Sequence, residues 1–317
     1  MTLREGTEAV MHVQTVRRSI DPARLGLTLP AEHFYIQQWE VLGHEALYQL
    51  EDDDVFADEI AAFQALGGAC IVDTTPPCIG RRPERLRDLS ERTGIDIVMS
   101  CGWYLEAYVP PEDRVERRSV QSLADQLIAE IRGGVADTGI RPGVIGEFGA
   151  SKGFVSPMEE RIHRASARAH RATGIPMTTH ALHSPVGLEQ LGLFEEEGAD
   201  LTHVAIGHCD SFPHLPYWLA VIERGAFVQL DNIGEQMGRH EERLAGLVRD
   251  VVERGHEKHL LLSHDMGVAS ELRYHGGRGL TYLFEAFLPR LRDLGVSEEV
   301  IRVITVDNPG RFLSMPD

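Results

Sequence analysis

Five residues of the types that bind metals or move protons stand at the ends of short apolar runs: His33, Glu147, His180, His208 and Asp265. Imidazole nitrogens and carboxylate oxygens are borderline-to-hard ligands, the donor set of zinc, manganese or iron sites. A lone strand-end histidine is more often a hydrogen-bonded rim residue than a ligand. Five such residues, each closing a different run, are harder to assign to packing, and a metal site is the expectation. The other histidines carry blander readings. His264 precedes Asp265, so strand alternation should turn it away from the side that Asp265 faces. His163 and His170 fall on a helix-like segment and are expected on a solvated face. His12, His240, His256 and His259 are expected in loops or at element ends, and His183 in a loop. Trp103 and Tyr104, in "SCGWYLEAY", are expected to wall a substrate pocket, although a core position suits Trp103 equally.

The elements that must position these residues are legible as repeats. Eight β-branched or apolar runs cover 24–29, 69–75, 95–100, 143–148, 175–180, 202–208, 226–231 and 259–265. Between them, 54–66, 122–135 and 157–173 carry apolar residues at three- and four-residue spacing, as amphipathic helices do. The third opens with Ser156-Pro157, an N-cap followed by proline at the first helical position. Glycines in "ALGGA", "RTGID", "ATGIP", "EEGAD" and "ERGAF" mark helix stops before the next run. Strand–helix alternation repeated eight times predicts an α/β fold, a closed (β/α)8 barrel forming one domain over residues 1–317. An open doubly wound sheet would need a glycine-rich dinucleotide loop after its first strand, and none is present. Chemistry in such a barrel is built at the C-terminal strand ends, where the five residues lie.

The 317 residues, 43% hydrophobic and 25% charged, suffice for a sizeable core. The formal charge of −18 argues against nucleic acid or an anionic membrane as partner and leaves a small-molecule substrate. Four cysteines without C-x-x-C spacing fit a reduced, cytoplasmic protein. The opening "MTLREGTEAV" lacks the features of a signal peptide, and no apolar run is long enough to span a bilayer.

Taken in order and spacing, "GLTLPAEHF", "IVDTTPPCIGR", "GWYLEAYVP", "VIGEFGAS", "TGIPMTTH", "IGHCD", "LLSHD" and "VDNPGRFL" resemble the phosphotriesterase-like branch of the amidohydrolase superfamily. The likeness runs from about residue 20 to the C-terminus. It implies a (β/α)8 hydrolase with one or two divalent ions, zinc first, with manganese and iron as alternatives. His33 and Asp265 would hold the more buried metal, and His180 and His208 the more exposed one. Glu147 would bridge them, where many members carry a carboxylated lysine. Many members are homodimers, and the sequence is neutral on that point.

Two positions depart from the family pattern. The first strand usually ends in His-x-His, but here it reads Leu29-Pro30-Ala31-Glu32-His33. Alternation puts residues 31 and 33 on one side and Glu32 on the other, so Glu32 does not replace the missing imidazole. An arginine commonly follows the strand-seven aspartate in lactone-cleaving relatives, and here that position is Asn232. The resemblance implies hydrolysis of a lactone, carboxyl ester, small N-acyl amide or organophosphate ester, with Asp265 orienting the water and carrying its proton. Trp103, Tyr104 and the loop 231–240 would shape the pocket. The second reading is a ligand-binding homologue whose catalysis was lost with the buried metal through Ala31.

Overall fold

In the computed structural model, residues 10–37, 50–235 and 238–316 are described. The opening residues 1–9, and Gln236 and Met237 of the strand-seven loop, lie outside them.

Eight parallel strands make the barrel: β3 (Leu27–Glu32), β4 (Gly68–Asp73), β5 (Asp96–Cys101), β6 (Val144–Gly149), β7 (Met177–His180), β8 (Val204–Ile206), β9 (Phe227–Leu230) and β10 (Leu260–Leu262). Each falls within, or within three residues of, one of the apolar runs. Neighbours in sequence are neighbours in the sheet, as right-handed strand–helix–strand units require. The seam between β10 and β3 is joined by the Asp265 N–H donating to the Ala31 carbonyl at 3.1 Å and the Ala31 N–H donating to Ser263 Oγ at 3.1 Å.

Alternation sorts the strand residues into two apolar clusters. Cys70, Val72, Val98, Val144 and Leu261 fall in one, and Ile71, Ile97, Met99, Leu260 and Leu262 in the other, which also takes in the helices. Ala31 is buried yet belongs to neither. Between Leu29 and Glu32 the register slips, which sets Glu32 opposite Asp73.

The helices follow from their caps and stripes. Pro157–Thr173 begins with a capping box, Ser156 Oγ accepting from the Glu159 N–H while the Glu159 carboxylate accepts from the Ser156 N–H. It ends at Gly174, whose φ of 73° only glycine adopts freely and where a Cβ would lie 2.2 Å from Pro316. One expectation fails on this helix. His163 and His170 are buried, not solvated. Residues 159, 162, 163, 166 and 170 share the inward stripe, and each imidazole lies 2.7 Å from a backbone carbonyl, of Glu159 and Ile175 respectively. Polar residue type concealed a buried position.

A second sheet was not anticipated. β1 (Met11–Gln14) pairs antiparallel with β2 (Ser19–Ile20) and with β11 (Met315–Pro316). His12 therefore lies within a strand rather than in a loop, opposite Met315. Among the described residues, no helix is long and apolar enough to cross a membrane.

Candidate active site

The eight strand ends bring His33, Glu147, His180, His208 and Asp265 together. Their donor atoms form two groups, Glu147 with His180 and His208, and His33 with Glu147 and Asp265, each set lying within 4.8 Å. Glu147 belongs to both. Its Oε1 faces His208 Nε2 at 2.6 Å and makes a short contact with His180 Nδ1, while Oε2 lies 3.5 Å from His33 Nε2. His33 Nε2 is 3.0 Å from Asp265 Oδ1, and His208 Nε2 is 2.8 Å from His180 Nδ1.

Local backbone sets these directions. His208 and Asp265 have φ of 55° and 54°, a left-handed conformation uncommon for residues with side chains and frequent at functional sites. Gly207, before His208, lets the strands close up, since a Cβ there would lie 2.1 Å from the Thr179 carbonyl.

Behind the inward-facing nitrogens stands a second layer of hydrogen bonds. Asp231 Oδ1 accepts from the His208 N–H at 2.9 Å and from its Nδ1–H at 2.8 Å, which turns Nε2 toward Glu147 as the nitrogen that would ligate a metal. Gln229 Nε2 donates to Asp231 Oδ2 at 2.7 Å and so fixes that carboxylate. His33 Nδ1 lies 3.0 Å from the Thr75 hydroxyl, which donates to Asp73 Oδ1 at 2.7 Å. Glu32 is fully buried on the far side of its strand. Its carboxylate accepts from Ser263 Oγ, the His264 N–H, His264 Nδ1 and the Met266 N–H at 2.8–3.0 Å, which grips both residues flanking Asp265. His264 is turned away from the ligand groups, as strand alternation requires.

The electrostatics suit bound cations. Burial pushes the Glu147 carboxyl up, but the imidazoles of His208 and His180 more than reverse this and hold it well below the usual range. Burial lowers His208, yet Asp231, Glu147 and Asp265 raise it well above an ordinary imidazole. His33 is likewise raised, burial being outweighed by Asp265 and Glu147. Excess negative charge thus surrounds two buried donor groups. Imidazole lone pairs and carboxylate oxygens at these spacings fit divalent metal. Among the described residues no other histidine, cysteine, aspartate or glutamate joins either group, so nothing replaces an imidazole at Ala31.

A cavity of about 340 Å³ opens over the His33–Asp265 side. Tyr104 and Asn232 line it, and the Tyr104 hydroxyl is 3.3 Å from His180 Nδ1. Trp103 is placed differently: its Nε1–H donates to Asp113 at 2.6 Å, and the ring lines a separate cavity. Sequence reasoning missed the supporting role of Asp231, Thr75 and Glu32. Period-two counting back from Asp231 to Gln229 is the one signal that could have placed that pair on a single strand face.

A parallel eight-stranded barrel with histidine and carboxylate donors clustered at its C-terminal strand ends defines a class of hydrolytic barrels. The profile of the Phosphotriesterase family matches residues 11–313, and the chain belongs to that family. A phosphotriesterase homology protein of Escherichia coli is 34% identical over 294 residues, 93% of this chain and 99% of its own. The crystal structure of the E. coli phosphotriesterase homology protein, with phosphate in its active site, superposes with a TM-score of 0.88 at 34% identity, over 93% of this chain and 100% of that one. A lactonase from Listeria monocytogenes gives a TM-score of 0.88 at 27% identity, covering 95% of this chain and 98% of that one. The human N-acetyltaurine hydrolase is 26% identical over 343 residues, 95% of this chain and 97% of its own. The chain is thus a hydrolase of the phosphotriesterase type.

Proposed function

We propose that this protein hydrolyses an acyl bond in a small molecule, an N-acyl amide or carboxyl ester ahead of a lactone or phosphotriester, with one or two divalent metals, zinc first. The observation that carries this reading is Glu147, which offers one oxygen to each of two ligand groups, one of which reaches an open cavity through His33 and Asp265. A divalent cation held by His33, Glu147 and Asp265, or by Glu147, His180 and His208, supplies Lewis-acid charge and makes water acidic enough to act near neutral pH. Asp265 is the group best placed to carry the proton. It is the most exposed of the five, at 20% for its side chain, and it lines the cavity where a substrate would lie. As water adds to the acyl carbon, Asp265 takes its proton and passes it to the leaving nitrogen or oxygen when that bond breaks. Tyr104, its hydroxyl held well above the usual phenol range by burial and by Glu147 and Asp265, stays protonated and offers a hydrogen bond across the cavity. Glu32 holds Asp265 at its angle, and Asp231 holds His208.

Two relatives named for substrates favour the acyl class, one a lactonase and one an N-acetyltaurine hydrolase. Asn232 places the lactone lower. The binding-only reading has less support, since both ligand groups retain three donors without residue 31. The test is to strip metal with a chelator, then assay N-acyl amide, ester, lactone and phosphotriester panels before and after adding zinc or manganese. Activity should vanish on chelation and return with metal. Turnover unaffected by chelation would overturn the reading.

A further inference from the structure

We propose that Arg278 forms an anion subsite in the wall of this cavity, and that the substrate carries a sulfonate or carboxylate on a short arm beside its acyl bond. The inference deepens the acyl-hydrolase reading and rests on it.

Arg278 lines the same cavity as Asp265 and His33, and its side chain is only 8% exposed. The guanidinium is engaged through one nitrogen alone. Nη2 donates to the His264 carbonyl at 2.8 Å and to Glu271 Oε1 at 2.7 Å. Nε and Nη1 are buried without a hydrogen-bond partner. A buried donor left unpaired costs about 1–3 kcal/mol, so such a group in a cavity wall calls for a ligand. Each is a charge-assisted N–H donor of the kind that takes a single oxygen of a carboxylate or sulfonate.

The group is held for this task. Glu271 fixes one edge of the guanidinium and is itself fixed, its Oε2 accepting the Gly267 and Val268 N–H groups at 3.0 and 3.1 Å. The loop after β9 lies against the stem: a Cβ on Gly234 would come within 2.9 Å of Arg278 Cδ. Among the described residues Arg278 is the only lysine or arginine lining the cavity, which also presents Asp265, Glu235 and Glu271. Those carboxylates would repel an anionic arm, so at the wall, away from the metal-ligand groups, its binding depends on Arg278. Binding the charged arm at the wall leaves the acyl carbon over the His33–Asp265 floor. Water then adds to that carbon, the C–N bond breaks, and the acid and the amine bearing the anion separate, the proton passing to the amine nitrogen.

Three probes with the same two-carbon arm test this on the zinc-loaded protein: N-acetyltaurine, N-acetyl-β-alanine and the neutral N-acetylethanolamine. The wild type should favour an anionic probe over the neutral one in kcat/KM, and the sulfonate and carboxylate arms tell which anion the subsite takes. Arg278→Met should cut that preference by about tenfold or more, mostly through KM, and Arg278→Lys should restore part of it. A purely structural arginine would depress all three probes alike. No preference in the wild type, or one that survives Arg278→Met, overturns the subsite. If nothing is turned over with metal present, the hydrolase reading fails instead, and calorimetric binding of N-acetyltaurine and N-acetyl-β-alanine decides the subsite. Binding weakened in Arg278→Met supports it, whereas equal binding in the two proteins, or none, overturns it.

Discussion

At the level of single residues, the site depends on what lies behind each ligand. His208 presents Nε2 inward because Asp231 accepts from both its backbone N–H and its Nδ1–H. Second-layer carboxylates of this kind typically change metal affinity about 10–100-fold when altered. Asp231→Asn should therefore bind zinc about tenfold more weakly, measured by competition with a chromogenic chelator, while circular dichroism stays unchanged. Unaltered affinity would mean that His208 is aimed by its strand alone. Ala31 belongs to the same scale. Its neighbours supply no stand-in ligand, which leaves His33, Glu147 and Asp265 to hold that side among the described residues. Sequence alone exposed Ala31, because a missing ligand in a regular motif is visible without coordinates. It did not expose Thr75, whose hydroxyl role depends on a neighbouring strand.

At the level of elements, the eight strands and the capped helix were legible because each rests on local rules: alternation, three-and-four spacing, Ser-Pro starts and glycine stops. The failures were where locality ends. β1, β2 and β11 are two to four residues long, and β1 pairs with β11 across the length of the chain, beyond what a local window can detect. His163 was misjudged because an imidazole reads as polar, although it sits between Phe148 and Phe194 at ring distances of 5.0 and 5.7 Å. That burial has a consequence in acid. Desolvation holds the His163 imidazole at about 4 in the fold, against 6.5 for the ordinary residue. The unfolded chain thus gains this proton first as pH falls. Stability is whole above pH 6.5 and declines toward pH 4, by roughly 3 kcal/mol over that window for this group. Urea unfolding at a series of pH values should show this decline, and His163→Phe should flatten it. An identical slope in the variant would assign the acid sensitivity elsewhere.

For the whole molecule, the decisive joint is between the first and last barrel strands. Glu32 is fully buried and takes four donors from the 263–266 segment, so it couples barrel closure to the setting of Asp265. Glu32→Ala leaves those donors buried and unpaired. It should cost about 3 kcal/mol or more and weaken zinc retention together with stability, both readable from thermal melts with and without metal. A variant that melts like the wild type would remove Glu32 from this role. The same joint also governs the order of assembly. Glu32 and Met266 stand 234 positions apart, so theirs is among the most non-local pairings in the fold, the kind that delays folding most. During synthesis His33 emerges long before Asp265 exists. The half of the site that they share can form only when the ring of strands shuts, so metal uptake there would serve as a clock for the final step of folding.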